Sequence, residues 1–139
     1  MWLQMAGVKS IPLDTDANMN PIIEKAEALI TDRTRAIVLV SPNNPSGAIY
    51  SNQLLQKFFD LCKSNQIRLI IDETYKDFHP NASQPHTLLE NNNWDQVLTI
   101  LYSFSKTYRM TGHRIGALLT SKENLVEIEK ALDTFTVCP

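Results

Sequence analysis

Cysteine, basic charge and long apolar runs are all scarce in this chain. Its 139 residues hold two cysteines, Cys62 and Cys138. Neither sits in a C-x-x-C spacing or beside a cluster of histidines, which leaves a disulfide framework and a zinc site without support. Cys62 falls on the apolar side of a helical pattern and reads as a core thiol. No run approaches the roughly 20 apolar residues of a transmembrane helix, and Met1 is not followed by the basic segment and apolar core of a signal peptide. The net charge is -2 with the two signs interspersed, so neither nucleic acid nor an anionic membrane is an expected partner. The expected setting is reducing and cytoplasmic. The phosphate-binding strings G-x-x-x-x-G-K and G-x-G-x-x-G are missing too, which argues against nucleotide binding. With no repeat, no low-complexity segment and no Gly/Ser/Pro-rich linker, the chain is one domain's worth of sequence.

What the sequence does contain is an alternation of short apolar runs and helical patterns. Val8 to Leu13 reads as a first short strand. Asn20-Pro21 offers a cap and a proline at the first helical position, with Ile22, Ala26 and Leu29 as the stripe. AIVLV (36–40) is apolar on both faces and reads as a central parallel strand covered on both sides. Ser51 opens a helix with Leu54, Leu55, Phe58, Leu61 and Cys62 on one face and Asn65 as a left-handed stop. IRLII (67–71) and VLTILY (97–102) repeat the buried-strand signal, separated by a loop-rich stretch with a short helix near Leu88 to Asn91. RIGALLT (114–120) reads as a last strand, and Ser121 caps a helix carrying Leu125, Ile128 and Leu132. The expected class is α/β, a mostly parallel open sheet flanked by helices. The link from Tyr102 to Arg114 is too short for a helical crossover, so the last strand is expected to be antiparallel.

Three of these strands are each followed by a polar cluster: SPNNPSG after Val40, DETY after Ile71 and SFSK after Tyr102. Ligands of open α/β sheets bind outside the carboxyl ends of the strands, so the clusters are expected along one edge. Taken singly, each has a plainer reading. A lysine past a strand is a solvated charge, an aspartate leaving a strand caps a turn, and PNNPSG is itself a turn. Gly112 and Gly116 read as turn and close-packing positions. His79, His86 and His113 have no metal-ligand spacing and read as surface or loop residues. Tyr108 and Arg109 have no assigned role.

Together the clusters support one specific chemistry. Lysine, with a solution pKa of about 10.4, is a poor nucleophile near neutrality, but it condenses with an aldehyde to an imine. Asp72 could keep a pyridinium nitrogen protonated, the condition under which pyridoxal phosphate acts as an electron sink. Asn44 and Tyr75 could hydrogen-bond a phenolate oxygen, while Ser103, Ser105 and Arg114 offer donors for a phosphate.

PNNPSG at 42–47, D-x-x-Y at 72–75, and S-x-S-K followed by G-x-R-x-G at 103–116 resemble, in order and separation, the class I and II pyridoxal-phosphate-dependent aminotransferases, which are aspartate-aminotransferase-like in fold. The resemblance implies that Lys106 forms the internal aldimine, Asp72 pairs with the pyridine nitrogen, Asn44 and Tyr75 contact the ring oxygen, and Ser103, Ser105 and Arg114 bind phosphate. It implies transamination between an amino acid and a 2-keto acid, with Lys106 freed to act as general base, in an enzyme that is a homodimer at full length.

The likeness covers nearly all of the chain yet corresponds to the middle of the family's large domain. A second phosphate loop, a ring-stacking aromatic and a tyrosine lent across the dimer are expected upstream, and a small domain with a carboxylate-binding arginine downstream. Alternatives are a β-elimination lyase on the same scaffold and a folded fragment that catalyses nothing. Ser103 to Lys106 also fits the S-x-x-K of serine β-lactamases, but SDN and KTG are absent. Unpaired strand edges lead to an expectation of dimers or aggregates.

Overall fold

In a computed structural model that describes residues 2–135, the chain runs α1 (Trp2–Met5), α2 (Ile23–Leu29), β1 (Ala36–Val40), α3 (Asn52–Ser64), β2 (Arg68–Asp72), β3 (Leu98–Ser103), β4 (Gly116–Leu119) and α4 (Lys122–Phe135). Short 3-10 turns at Lys76–Phe78, Leu88–Glu90 and Trp94–Gln96 fill the long link from β2 to β3. The four strands lie in the order β1-β2-β3-β4. The first three are parallel, and β4 returns antiparallel to β3, as the short link before it requires. Cys138 lies outside the described residues.

The core forms where the period of α3 meets the period of the sheet. Ser51 accepts the Leu54 amide at 3.2 Å and satisfies one of the open donors at the helix start. From there Leu55, Phe58, Phe59 and Cys62 fall on one face and are at most 2% exposed. They meet the side chains of alternate strand residues, Leu39, Leu69, Ile71, Leu98 and Ile100, in a single cluster. Burial pushes the Cys62 thiol up to about 12, which leaves it inert as a nucleophile at neutral pH. At the helix end the Asn65 amide group donates to the Leu61 carbonyl at 2.9 Å.

Several expectations are corrected. Val8 to Leu13 forms no strand; the only pairing near it is a bridge between Thr15 and Pro21. That bridge holds Pro21 outside the helix, so α2 begins at Ile23. Its inward stripe runs through Ile23, Ala26 and Ile30, with Leu29 exposed. The left-handed residue after α3 is Gln66 (φ 55°), because Asn65 (φ -96°) spends its side chain on capping. The strand β1 is an edge of this sheet, and Val38 on the face away from α3 is 58% exposed. An apolar pattern on both faces states what a strand can bury, whereas the described chain leaves Val38 largely uncovered on the face away from α3.

Among the described residues no helix is long and apolar enough to cross a membrane, and no group of three or more His, Cys, Asp or Glu could hold a metal ion.

Candidate functional site

Register decides whether the three polar clusters can share a ligand. Val40 is level with Asp72, and Asp72 with Leu101. The backbone continues the ladder one step further, with the Ser41 amide on the Asp72 carbonyl (3.1 Å) and the Glu73 amide on the Leu101 carbonyl (2.7 Å). β1 and β2 therefore end level and β3 runs two residues past them to Ser103, so all three clusters leave from one edge. Alternation puts Asp72, Leu101 and Ser103 on the same face, opposite the face covered by α3. Because β4 is antiparallel, its start lies at this same edge, with Ser103 beside Gly116. A Cβ at Gly116 would stand 2.8 Å from the Tyr102 carbonyl oxygen, so glycine permits this close approach.

Asn44, Tyr75 and Lys106 come together. The Asn44 amide donates to the Tyr75 hydroxyl at 3.1 Å across 31 residues of sequence, and the Lys106 ammonium lies 6.0 Å from the centre of the Tyr75 ring. Lys106 is exposed and Tyr75 half-buried. Asp72 is half-buried at the end of β2. Its Oδ1 accepts the Thr74 amide (2.9 Å) and hydroxyl (2.6 Å), a local turn that orients the carboxylate. Its Oδ2 has no protein partner among the described residues.

Ser103, Ser105 and Arg114 sit in one loop tied by its own polar atoms. Ser103 Oγ accepts the Ser105 amide at 3.2 Å. Thr111 donates its hydroxyl to the Ser105 carbonyl (3.2 Å) and accepts an Arg114 N–H on its own carbonyl (3.1 Å). Arg114 is exposed and left-handed (φ 53°). Among the described residues no salt bridge holds its guanidinium, which is anchored through the Thr111 carbonyl.

Two residues of this edge escaped sequence reasoning. Asp77 Oδ2 accepts a short hydrogen bond from the Tyr102 hydroxyl and a second from Thr107 Oγ1 at 2.9 Å. Tyr102 and Thr107, by donating to it, hold the Asp77 carboxyl below the usual carboxylate range. Burial, and then the bond to Asp77, pushes Tyr102 up to about 12. Glu73, the residue after Asp72, is buried and bonded to His86 Nε2 at 2.6 Å. His86 is thus a loop residue but not a surface one, since it is 7% exposed. Its Nδ1 accepts the Leu88 amide at 3.3 Å, which leaves Nε2 to donate to Glu73. A sequence signal existed for Glu73, which follows the last strand residue on the face that α3 covers. None existed for Asp77.

Comparison with known proteins places a family over nearly the whole chain. The family model for aminotransferase class I and II matches residues 2–138. Among curated proteins, an aspartate aminotransferase of Thermotoga maritima is 31% identical over 121 residues, covering 87% of this chain and 32% of its own length. An alanine aminotransferase of Mycobacterium tuberculosis is 34% identical over 132 residues, 91% of this chain and 30% of its own. The solved aromatic aminotransferase of Pyrococcus horikoshii superposes with a TM-score of 0.87 at 25% identity, covering 97% of this chain and 37% of that one. The chain thus spans about a third of the length of the curated relatives it matches.

Proposed function

The chain belongs to the aminotransferase class I and II family, and we propose that it forms the central part of a large domain and carries the lysine side of a pyridoxal phosphate site used for transamination between an amino acid and a 2-keto acid. The observation that carries this reading is the meeting of Asn44, Tyr75 and Lys106 at the edge where the carboxyl ends of three parallel strands gather. The donor set suits the cofactor's chemistry. Asp72 has a carboxylate oxygen left open by the Thr74 turn and would accept the pyridine N–H. Asn44 and Tyr75 would donate to the ring oxygen, and Ser103, Ser105 and Arg114 would hold the phosphate.

When bound, pyridoxal phosphate supplies an electron sink for charge released at a substrate's α-carbon. Lys106 would anchor the aldehyde carbon. Once displaced by an incoming amino group, its neutral amine would take the proton from the substrate's α-carbon. Asp72 would keep the ring nitrogen protonated throughout, which makes that proton transfer feasible.

The test is to incubate the chain with pyridoxal phosphate, reduce with borohydride and map the added mass by peptide mass spectrometry. Attachment concentrated at Lys106 and lost in Lys106→Ala is the expected result. Mass spread evenly over Lys57, Lys63 and other exposed lysines, with Lys106→Ala indistinguishable from the parent, would overturn the reading.

A further inference from the structure

The turn that carries Tyr75 and the loop that carries Lys106 are separate pieces of chain, and neither is long enough to hold itself in place. The turn Lys76–Phe78 is a single 3-10 turn, and Lys106 to Arg109 are all exposed. One carboxylate joins them. Asp77 Oδ2 takes both the Tyr102 hydroxyl and the Thr107 hydroxyl, so the residue two past Tyr75 is bonded to the residue next to Lys106. Tyr102 pairs with Ala117 in register and alternates with Leu101 and Ser103, so its ring leaves the sheet on the α3 side. There it packs edge-on against Phe104 (5.2 Å between ring centres), with the Lys76 ammonium 5.3 Å from its own centre. The junction thus stands behind the edge, on the opposite face from Asp72 and Ser103.

We propose that Asp77 is a positioning residue, a clamp that sets the spacing between the Tyr75 turn and the Lys106 loop without touching the ligand. The position of the bonds supports this reading. A carboxylate accepting two hydroxyls from one side leaves little freedom to either segment, and charged hydrogen bonds are the stronger kind. The depressed Asp77 carboxyl and the raised Tyr102 hydroxyl fit a bond formed by the charged acid and the neutral phenol. The consequence for Lys106 rests on the pyridoxal phosphate reading above; the clamp itself does not.

The experiment uses two readouts on Asp77→Ala, Asp77→Asn and Tyr102→Phe. Amide hydrogen exchange followed by mass spectrometry reads the clamp directly. Loss of the accepting oxygens in Asp77→Ala is expected to speed exchange across 103–110 by about tenfold while 52–64 stays unchanged. Borohydride trapping with pyridoxal phosphate reads the consequence: attachment at Lys106 relative to Lys57 and Lys63 falls by about tenfold in Asp77→Ala. Asp77→Asn, which keeps an oxygen able to accept both hydroxyls, recovers most of both signals, a rescue that loss of bulk structure would not show. If Asp77→Ala exchanges faster everywhere, Tyr102→Phe, which removes one bond, decides the matter by the same local pattern. Unchanged exchange at 103–110 in a folded Asp77→Ala or Tyr102→Phe overturns the clamp. Local exchange that responds as expected while Lys106 is never labelled selectively, even in the parent chain, supports the clamp and overturns the cofactor reading alone.

Discussion

Two helices of similar length, α3 and α4, follow the same local rules and end in different surroundings. Each is opened by a serine that caps it, Ser51 taking the Leu54 amide at 3.2 Å and Ser121 the Asn124 amide at 3.3 Å. Each carries an apolar stripe at helical spacing. In α3 that stripe is sealed, with Phe58, Phe59 and Cys62 fully buried. In α4 no described residue is buried: Leu125 and Ile128 are half-covered, while Val126 and Leu132 are 46% and 60% exposed. The difference lies in what stands opposite. The α3 helix lies on the inner strands, whereas α4 follows β4, the outermost strand, where Leu119 is itself 42% exposed. Periodicity specifies a helix and its inward direction; burial is supplied by the neighbour.

The comparison breaks most visibly at Phe58. Phe58→Ala removes a fully buried ring between α3 and the sheet and is expected to cost about 3–5 kcal/mol, read as a fall in the urea midpoint at unchanged slope. A cost below about 1 kcal/mol would mean that the α3 interface collapses around the gap and is no better packed than α4.

The second test uses pH and also singles out α3. Burial raises the Cys62 thiol from its ordinary 9.0 to about 12. A group whose pKa is higher folded than unfolded contributes stability that is complete below the unfolded value and lost as pH passes the folded one. These two groups should therefore leave stability level from neutral pH to about pH 9 and lower it between pH 9 and 12, with Tyr102, raised from 10.0 to about 12, adding to the upper part of that fall. Cys62→Ala should flatten the pH 9–10 portion in chemical denaturation at fixed temperature. An unaltered slope would place the titrating group elsewhere.

A third test concerns the loop that finishes the α3 side. Asn52 bonds the Thr87 amide (2.8 Å) and hydroxyl, Gln56 meets Asn91, and Leu88 is fully buried. His86 fastens this loop to Glu73. His86→Ala leaves a buried carboxylate without its partner and is expected to cost about 2–3 kcal/mol, with His86→Gln recovering part of it. Equal stability of all three proteins would show that water replaces the histidine and that the α3 side is as wet as the α4 side.

Much of this was legible in the chain because it depends on local pattern. The strands AIVLV, RLIID and LTILYS, the capped helix between the first two, and the antiparallel return of β4 follow from side-chain period, one serine and one short link. The polar clusters at the strand ends were legible as well, since the carboxyl end of a strand is a place that sequence order defines. The rest depends on partners far away in the chain. Glu73 meets His86 13 residues on and Asp77 meets Tyr102 25 residues on, and no spacing rule announces either pair. The left-handed residues Gln66, Arg109 and Arg114 are side chains that ordinarily avoid that region, so composition pointed to Asn65 and the glycines instead. The edge status of β1 could not be read at all, because AIVLV reads the same with one covered face or two.

The smallest effect is the sharpest test of the comparison. Val126 is 46% exposed on α4, and Val126→Ser there removes an apolar side chain that no other element of the described structure seals from water. If α4 is as open as it stands, the change should lie within about 0.5 kcal/mol of neutral, since exposed substitutions away from caps and cores rarely exceed that. The measurement is a urea titration of this chain beside Phe58→Ala, where a near-zero shift next to a large one is the expected pair. A cost of about 2 kcal/mol for Val126→Ser would instead require that its methyl groups be covered in solution. Concentration dependence of the midpoint would then tell whether the cover is a second copy of the chain, because only an associating protein becomes more stable as it is concentrated.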